Sequence, residues 1–318
     1  VVRGEPLKFS EEGVKLVTRN IILPLWNSFS FFSTYANADD ITFEDLEKAS
    51  PVEDRPMMDR WIISSMQSLI KTVNEKMENY YLYEVIPPLM NFVDELTNWY
   101  VRSNRKRFWK EKDENDIDKI NAFKTLHEVL LEFSKSMAPV LPFICEKIYQ
   151  GLIEENNESI HYCNYPIADE NLIDKDLEDN IELAKKVIKS VRNLRVKLKL
   201  PNKQPLNSVK IITKDKKIEE KLNVISDLIK NEVNLKEVLF DFDVENWISY
   251  EFKPNFKVLG PKLGKQINVL SEYLKNVDEN ISNDILQGNG VIVDNIKVSS
   301  DEIDIVLNKK EDNENQDI

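Results

Sequence analysis

NWYVRSNRKRFWKEK, residues 98–112, is the stretch against which the rest of the chain is read. It carries an apolar pattern of helical spacing (Leu89, Phe92, Val93, Leu96, Trp99, Tyr100) forward into a basic run. From Arg102 to Lys112 six Lys/Arg stand against one Glu, in a chain whose net charge is −13. Steps of three, four and seven put Arg102, Arg105, Lys106 and Trp109 on one helix face. Cations beside an exposed indole hold phosphates and stack a splayed-out base together, which is how single-stranded RNA loops are commonly bound. A solvated charged helix whose Trp109 packs into the core would give the same pattern. The flanking sequence has to separate the two.

Upstream, a helix start is marked at Ser10, a natural N-cap with Glu11 and Glu12 in the first turn. Pro24 is expected to kink that helix or begin a second one, and Leu25, Trp26, Phe29, Phe31 and Phe32 form an aromatic stripe read as core. A polar, acidic connection follows over residues 37–55. Long amphipathic helices are predicted over 57–80 (Trp61, Ile62, Met66, Leu69, Ile70, Val73) and over 82–109, bent near Pro87 and Pro88. Another covers 117–154, interrupted at 138–143. No strand is predicted before residue 160. The expected fold is mainly α, an antiparallel helical bundle followed by a smaller α+β domain.

The organisation reads as a bundle over 1–160, a polar linker over 161–180, a small α+β domain over 181–307 and a disordered acidic tail over 308–318. The second domain opens on another basic element. Residues 185–203 hold eight Lys/Arg and no acid, with Val187, Val191, Leu194 and Leu198 as the apolar stripe. Strands are expected at 208–212, 236–241 and 247–252, with helices at 216–231 and 260–276, and further strands at 291–293 and 303–306.

Composition narrows the function. A hydrophobic content of 42% with five Trp and fourteen Phe supports a real core, and seven Gly disfavour a Gly-rich nucleotide site. The negative net charge opposes indiscriminate nucleic-acid binding, although screening limits that field to about 10 Å and leaves local patches effective. Two Cys (Cys145, Cys163) and two His (His127, His161) make a poor metal site and fit a reducing compartment. No targeting segment and no run of 18 apolar residues is present, which points to a soluble cytoplasmic protein without membrane contact. GxGxxG, P-loop and HExxH motifs are absent, and no Ser-His-Asp arrangement is supported by spacing. The inventory is that of a binding module.

Several blocks resemble isoleucyl-tRNA synthetases, class I enzymes. Residues 1–37 (VVRGEPLKFSEEGVKLVTRNIILPLWNSFSFFSTYAN) are similar to the segment after the family's catalytic domain. DRWIISSMQSLI (59–70) and NWYVRSNRKRFW (98–109) resemble its anticodon-binding bundle, and SMAPVLPFICEKIYQ (136–150) a block shared with valyl and leucyl enzymes. VRNLRVKLKLPNKQPLNSVKII (191–212) and KPNFKVLGPKLGK (253–265) resemble the family's C-terminal region. The HIGH and KMSKS signatures of the ATP site are missing, as are an editing insertion and a four-Cys zinc module. The resemblance therefore implies the tRNA-binding portion of an isoleucine–tRNA ligase, itself non-catalytic, with ATP and Mg used only by the full-length enzyme.

Its implied partners are isoleucine tRNA, the catalytic and editing domains of the same polypeptide and, in one reading, other synthetase-complex proteins. Arg102, Arg105, Lys106, Arg107 and Lys110 are assigned to backbone phosphates and Trp109 to stacking. Arg192, Arg195, Lys197 and Lys199 form a second phosphate-facing group, and Lys253, Lys257, Lys262 and Lys265 a third. The equivalent region of a valyl enzyme and a helical protein-interaction module are the alternatives. The resemblance also implies apolar surface exposed within residues 1–32.

Overall fold

The computed structural model describes residues 10–111, 116–154, 158–293 and 296–310. The expected extended segment over residues 1–9, and residues 311–318 of the expected tail, lie outside them. The chain forms two compact units, Val1–Lys185 and Lys186–Ile318. It is mainly helical, with a smaller strand-containing part at its C-terminal end.

In the first unit α1 (Glu11–Val17) starts at Ser10, whose hydroxyl accepts from the Gly13 amide. A π-helical turn, Thr18–Ile22, leads into α2 (Leu23–Ala38), which places Pro24 in its first turn, where the missing N–H costs nothing. The polar connection contains α3 (Phe43–Glu47), begun by a reciprocal capping box between Thr42 and Asp45. α4 (Met57–Glu78) buries the stripe its periodicity marks, from Trp61 to Val73. The helix expected over 82–109 is divided into α5 (Leu82–Asp94), a π-helical stretch Glu95–Val101, and α6 (Arg102–Trp109). α7 (Ile117–Met137) and α8 (Pro142–Gln150) follow, with the predicted interruption between them.

Aromatic rings knit these helices together. Phe31 of α2 meets Phe108 of α6 edge-on at 5.1 Å, and Phe108 meets Phe123 of α7 at 5.0 Å. Residues 158–174 return along α4. The Asn74 amide donates to the Pro166 carbonyl (3.0 Å), and the Asp174 amide donates to Ser64 Oγ (2.8 Å). α9 (Lys175–Lys197) begins ten residues before the basic element does. Lys185, the first cation of that element, lies over Trp61 (4.6 Å) and Trp99 (5.6 Å) and pairs with Glu95 at 2.6 Å.

In the second unit β1 (Leu206–Ile212), α10 (Lys216–Val224), α11 (Ser226–Val233) and β2 (Leu235–Asp241) make a parallel crossover, with Leu206 opposite Leu235 and Ile212 opposite Asp241. β3 (Ile248–Pro254), α12 (Phe256–Leu263), α13 (Ile267–Lys275), α14 (Glu279–Leu286), β4 (Val291–Val293), β5 (Ile296–Val298) and β6 (Ile303–Lys309) complete it. β3 pairs antiparallel with β6, and β4 with β5, around a core that includes Phe252, Leu259, Leu270 and Val298. The single helix expected over 260–276 is broken by Gly264, whose φ of +52° a residue with a Cβ would adopt only under strain.

Candidate nucleic-acid interface

α6 has two faces of opposite use. On the inner face Phe108 is fully buried, and Arg107 makes a two-pronged ion pair with Asp59 of α4, at 2.7 and 2.8 Å. The same guanidinium reaches Asp118 of α7 at 2.8 Å, and the Tyr100 hydroxyl donates to Asp59 at 2.8 Å. Asp59 has no exposed surface. Burial works against the charge on Arg107, but the hydrogen bonds and charge of Asp59 outweigh it and raise the pKa. Burial also raises the Tyr100 pKa well above the phenol value. This corrects the phosphate assignment of Arg107. It cross-links three helices and is not a surface cation.

The outer face is different. Arg102, Arg105 and Lys106 are exposed, and Trp109 is 53% exposed, so it is not a core residue. Among the described residues Arg105 and Lys106 have no acidic partner. Lys110 pairs with Asp116 at 2.6 Å, and its hydrogen bond is the main reason that carboxyl lies below its usual pKa. Lys119, almost wholly buried, ties the base of this region to Asp39 at 2.6 Å.

A reading by positive charge alone passes over the neighbour. α2 packs on α6 through Phe31, and no Asp or Glu occurs from Gly13 to Ala38, nor from Leu96 to Lys110. Two acid-free helices therefore lie side by side in an acidic protein. The signal for the second was a run without carboxylates, not a cluster of cations.

In the second unit Arg195 is also directed inward. It is almost fully buried, and its guanidinium donates to the carbonyls of Pro201 (3.1 Å), Gln204 (3.1 Å), Val233 (2.7 Å) and Asn234 (3.2 Å). Its phosphate assignment is corrected for that reason. The bonds pin the loop after α9, and Lys197, the last residue of α9, and Lys199 in that loop are exposed. Arg192 forms an ion pair with Glu232. In the third group Lys253 pairs with Glu251 at 3.0 Å and Lys262 with Glu302, whereas Lys257 is exposed without an acidic partner among the described residues. The Lys265 side chain lies outside the described residues.

Other titratable groups belong to the core. Burial pushes the Cys145 thiol up to about 12, which leaves it inert at neutral pH. His127 is nine-tenths buried, with Nε2 2.7 Å from the Leu152 carbonyl. Burial lowers its pKa from the ordinary 6.5. Above that value both folded and unfolded chains hold it neutral. As pH falls below it, the unfolded chain takes a proton that the folded chain resists, so stability is lost from about pH 6.5 downward. Urea midpoints are expected to fall between pH 6.5 and 5 in the native chain, and to fall less in His127→Gln. Equal slopes would place the lost protons elsewhere.

Among the described residues no group of His, Cys, Asp and Glu could hold a metal ion, and no helix is long and apolar enough to cross a membrane. Val14, Leu16, Val17, Leu23 and Trp26 expose apolar surface along α1 and α2, as the resemblance implies for this segment.

Residues 59–212 match the family model "Anticodon-binding domain of tRNA ligase". The chain is 38% identical over 308 residues to an isoleucine–tRNA ligase of Clostridium novyi, covering 95% of this chain and 29% of that protein. It is 35% identical over 326 residues to the isoleucine–tRNA ligase of Treponema denticola, and 34% identical over 320 residues to that of Bdellovibrio bacteriovorus. Here the coverage is 98% and 99% of this chain, against 29% and 30% of those proteins. The chain thus spans less than a third of the length of the curated relatives it matches. With the anticodon-binding region on the helices that carry the exposed basic face, and the likeness extending over nearly every residue, the chain belongs to the isoleucine–tRNA ligase family as a part of that larger protein.

Proposed function

We propose that the helical unit binds the anticodon stem-loop of isoleucine tRNA and that the second unit adds contacts through Lys197 and Lys199. One observation carries this reading: the matched anticodon-binding region includes an acid-free helix face on which Arg102, Arg105, Lys106 and Trp109 are exposed together. Arg and Lys hold the strand by its phosphates, which fixes position without reading sequence, and Trp109 offers a π-face to an unpaired base. Holding the loop here lets the acceptor end of the tRNA reach a catalytic centre in another part of the ligase. In this reading the chain itself is not catalytic, and ATP and Mg serve the whole ligase in the cytoplasm. The exposed apolar strip on α1 and α2 supports a second role, as a docking face for the rest of the ligase polypeptide.

Affinity for isoleucine tRNA at two salt concentrations, against valine tRNA and an anticodon-swapped control, tests the reading. Binding that weakens with salt and collapses on the swap is the expected result. Salt-sensitive binding that ignores the swap would leave an electrostatic dock alone. Absence of binding to any tRNA would favour a protein-interaction module, including one within a synthetase assembly.

A further inference from the structure

α9 changes character along its length. In its first half cations meet acids: Lys175 pairs with Glu178, and Lys185 with Glu95 and Glu182. From Leu183 to Lys214, by contrast, the sequence holds ten Lys/Arg and no Asp or Glu. Within the helix Ala184, Ile188, Val191 and Arg195 are buried, and the opposite face carries Lys186, Lys189, Ser190, Asn193 and Lys197, all exposed. That stripe lies wholly in the second unit. Among the described residues none of its three lysines has an acidic partner. The helix dipole stabilises cations in the last turn, which accounts for Lys197. It does not reach Lys186 and Lys189, about three and two turns further back, where like charges one turn apart repel each other.

We propose that this stripe docks a double-helical stem of the tRNA across its minor groove, with Lys186, Lys189 and Lys197 against phosphates and Ser190 and Asn193 against 2′-hydroxyls. The inference rests on the tRNA-binding reading above and gives the second unit a ligand of its own, duplex instead of loop. The shape of the stripe favours that ligand, because Lys186 to Lys197 runs about 16 Å along a straight helix at 1.5 Å per residue. It carries no aromatic ring on which an unpaired base could stack. The two arginines of this half of α9 are turned away, Arg192 to Glu232 and Arg195 to four backbone carbonyls. What is left is lysine, a mobile point charge suited to a phosphate, with a hydroxyl and an amide three positions apart on the same face. A-form RNA presents a wide, shallow minor groove lined by 2′-hydroxyls, and duplexes are held there by shape and by phosphate and 2′-hydroxyl contacts, largely without regard to sequence. The division of labour is then physical. α6 offers an indole and guanidiniums to an unpaired loop, and α9 offers a rod of ammonium groups to a stem.

The test is the affinity of the whole chain for isoleucine tRNA and for a loop-free RNA duplex of about 16 base pairs, unrelated to the tRNA in sequence, beside a DNA duplex of the same sequence. The native chain is expected to bind the RNA duplex in a salt-sensitive way and more tightly than the DNA. Lys186→Gln, Lys189→Gln and Lys197→Gln together should weaken binding to tRNA and RNA duplex about tenfold and lower the salt slope by about two, at 0.7–0.9 per phosphate contact. The three Lys→Arg changes should keep both. Ser190→Ala with Asn193→Ala should erase the preference for RNA over DNA and leave the slope unchanged, which neither net charge nor folding would produce. Lys48, Lys71 and Lys175, exposed lysines each paired with an acid, give the same charge change when replaced by Gln and should have little effect. Equal losses from the two lysine sets, or native-like tRNA affinity in the stripe variant, would make the stripe a solvated face and overturn the proposal. Binding of tRNA without binding of the duplex would overturn it too and leave the tRNA-binding reading standing. If the native chain binds neither, both fail.

Discussion

Replacing Arg107 by alanine is expected to destabilise the helical unit by about 3–5 kcal/mol, the cost of leaving a buried charge unpaired. Asp59 has no access to water, and its two oxygens are held by the two arms of one guanidinium. With Arg107 gone, the Tyr100 hydroxyl remains as a donor to it, and a hydroxyl carries no charge. Asp118 loses its cation too, but it is about half exposed and water can replace that contact. The loss should therefore be concentrated on Asp59. Arg107→Lys is expected to recover only part of it, since an ammonium cannot reproduce the fork that meets both carboxylate oxygens. Asp59→Asn in the Arg107→Ala background should recover stability by removing the orphan charge. Urea denaturation followed by helical circular dichroism is the measurement. A loss below about 1 kcal/mol, the range of an exposed ion pair, would mean that the bond contributes little.

This network shows where the sequence stops being legible. The apolar stripe of α4 and the helices on either side follow from periodicity, because a face that must be buried repeats at 3.6 residues whatever it packs against. The strands at 206–212 and 235–241 are legible for a similar reason. Arg105 and Arg107 are another matter. They are two positions apart on a helix, so they point in nearly opposite directions, and both belong to one unbroken basic run. Which of them faces inward is decided by Asp59, 48 positions away in sequence. Arg195 is harder still. A run without acids suggests a polyanion outside the protein, yet its partners are four backbone carbonyls, which carry no residue signature. His127 carries no signal in the sequence beyond being one of two histidines, and its burial depends partly on Phe43 of α3, a helix inside what reads as a polar connection.

The largest expected effect on binding comes from reversing the outer face alone. Arg105→Glu with Lys106→Glu should reduce tRNA affinity by at least tenfold at low salt and flatten the dependence of log affinity on log salt. The loss of each phosphate contact removes about 0.7–0.9 from that slope. Net charge matters in the design, because the double variant makes a chain of net charge −13 four units more negative and weakens RNA binding through the overall field as well. The same four-unit change at Lys71 and Lys175, exposed lysines paired with Glu170 and Glu178, supplies the comparison. If the basic face holds the backbone, the slope falls for the first pair and stays nearly unchanged for the second. Trp109→Ala separates the remaining contribution. It should weaken binding by about 1–3 kcal/mol through lost stacking and leave the slope intact, since no counterion is released by an indole. Equal effects from the two charge pairs would mean that the tRNA senses only the net charge of the protein, and the face on α6 would lose its role.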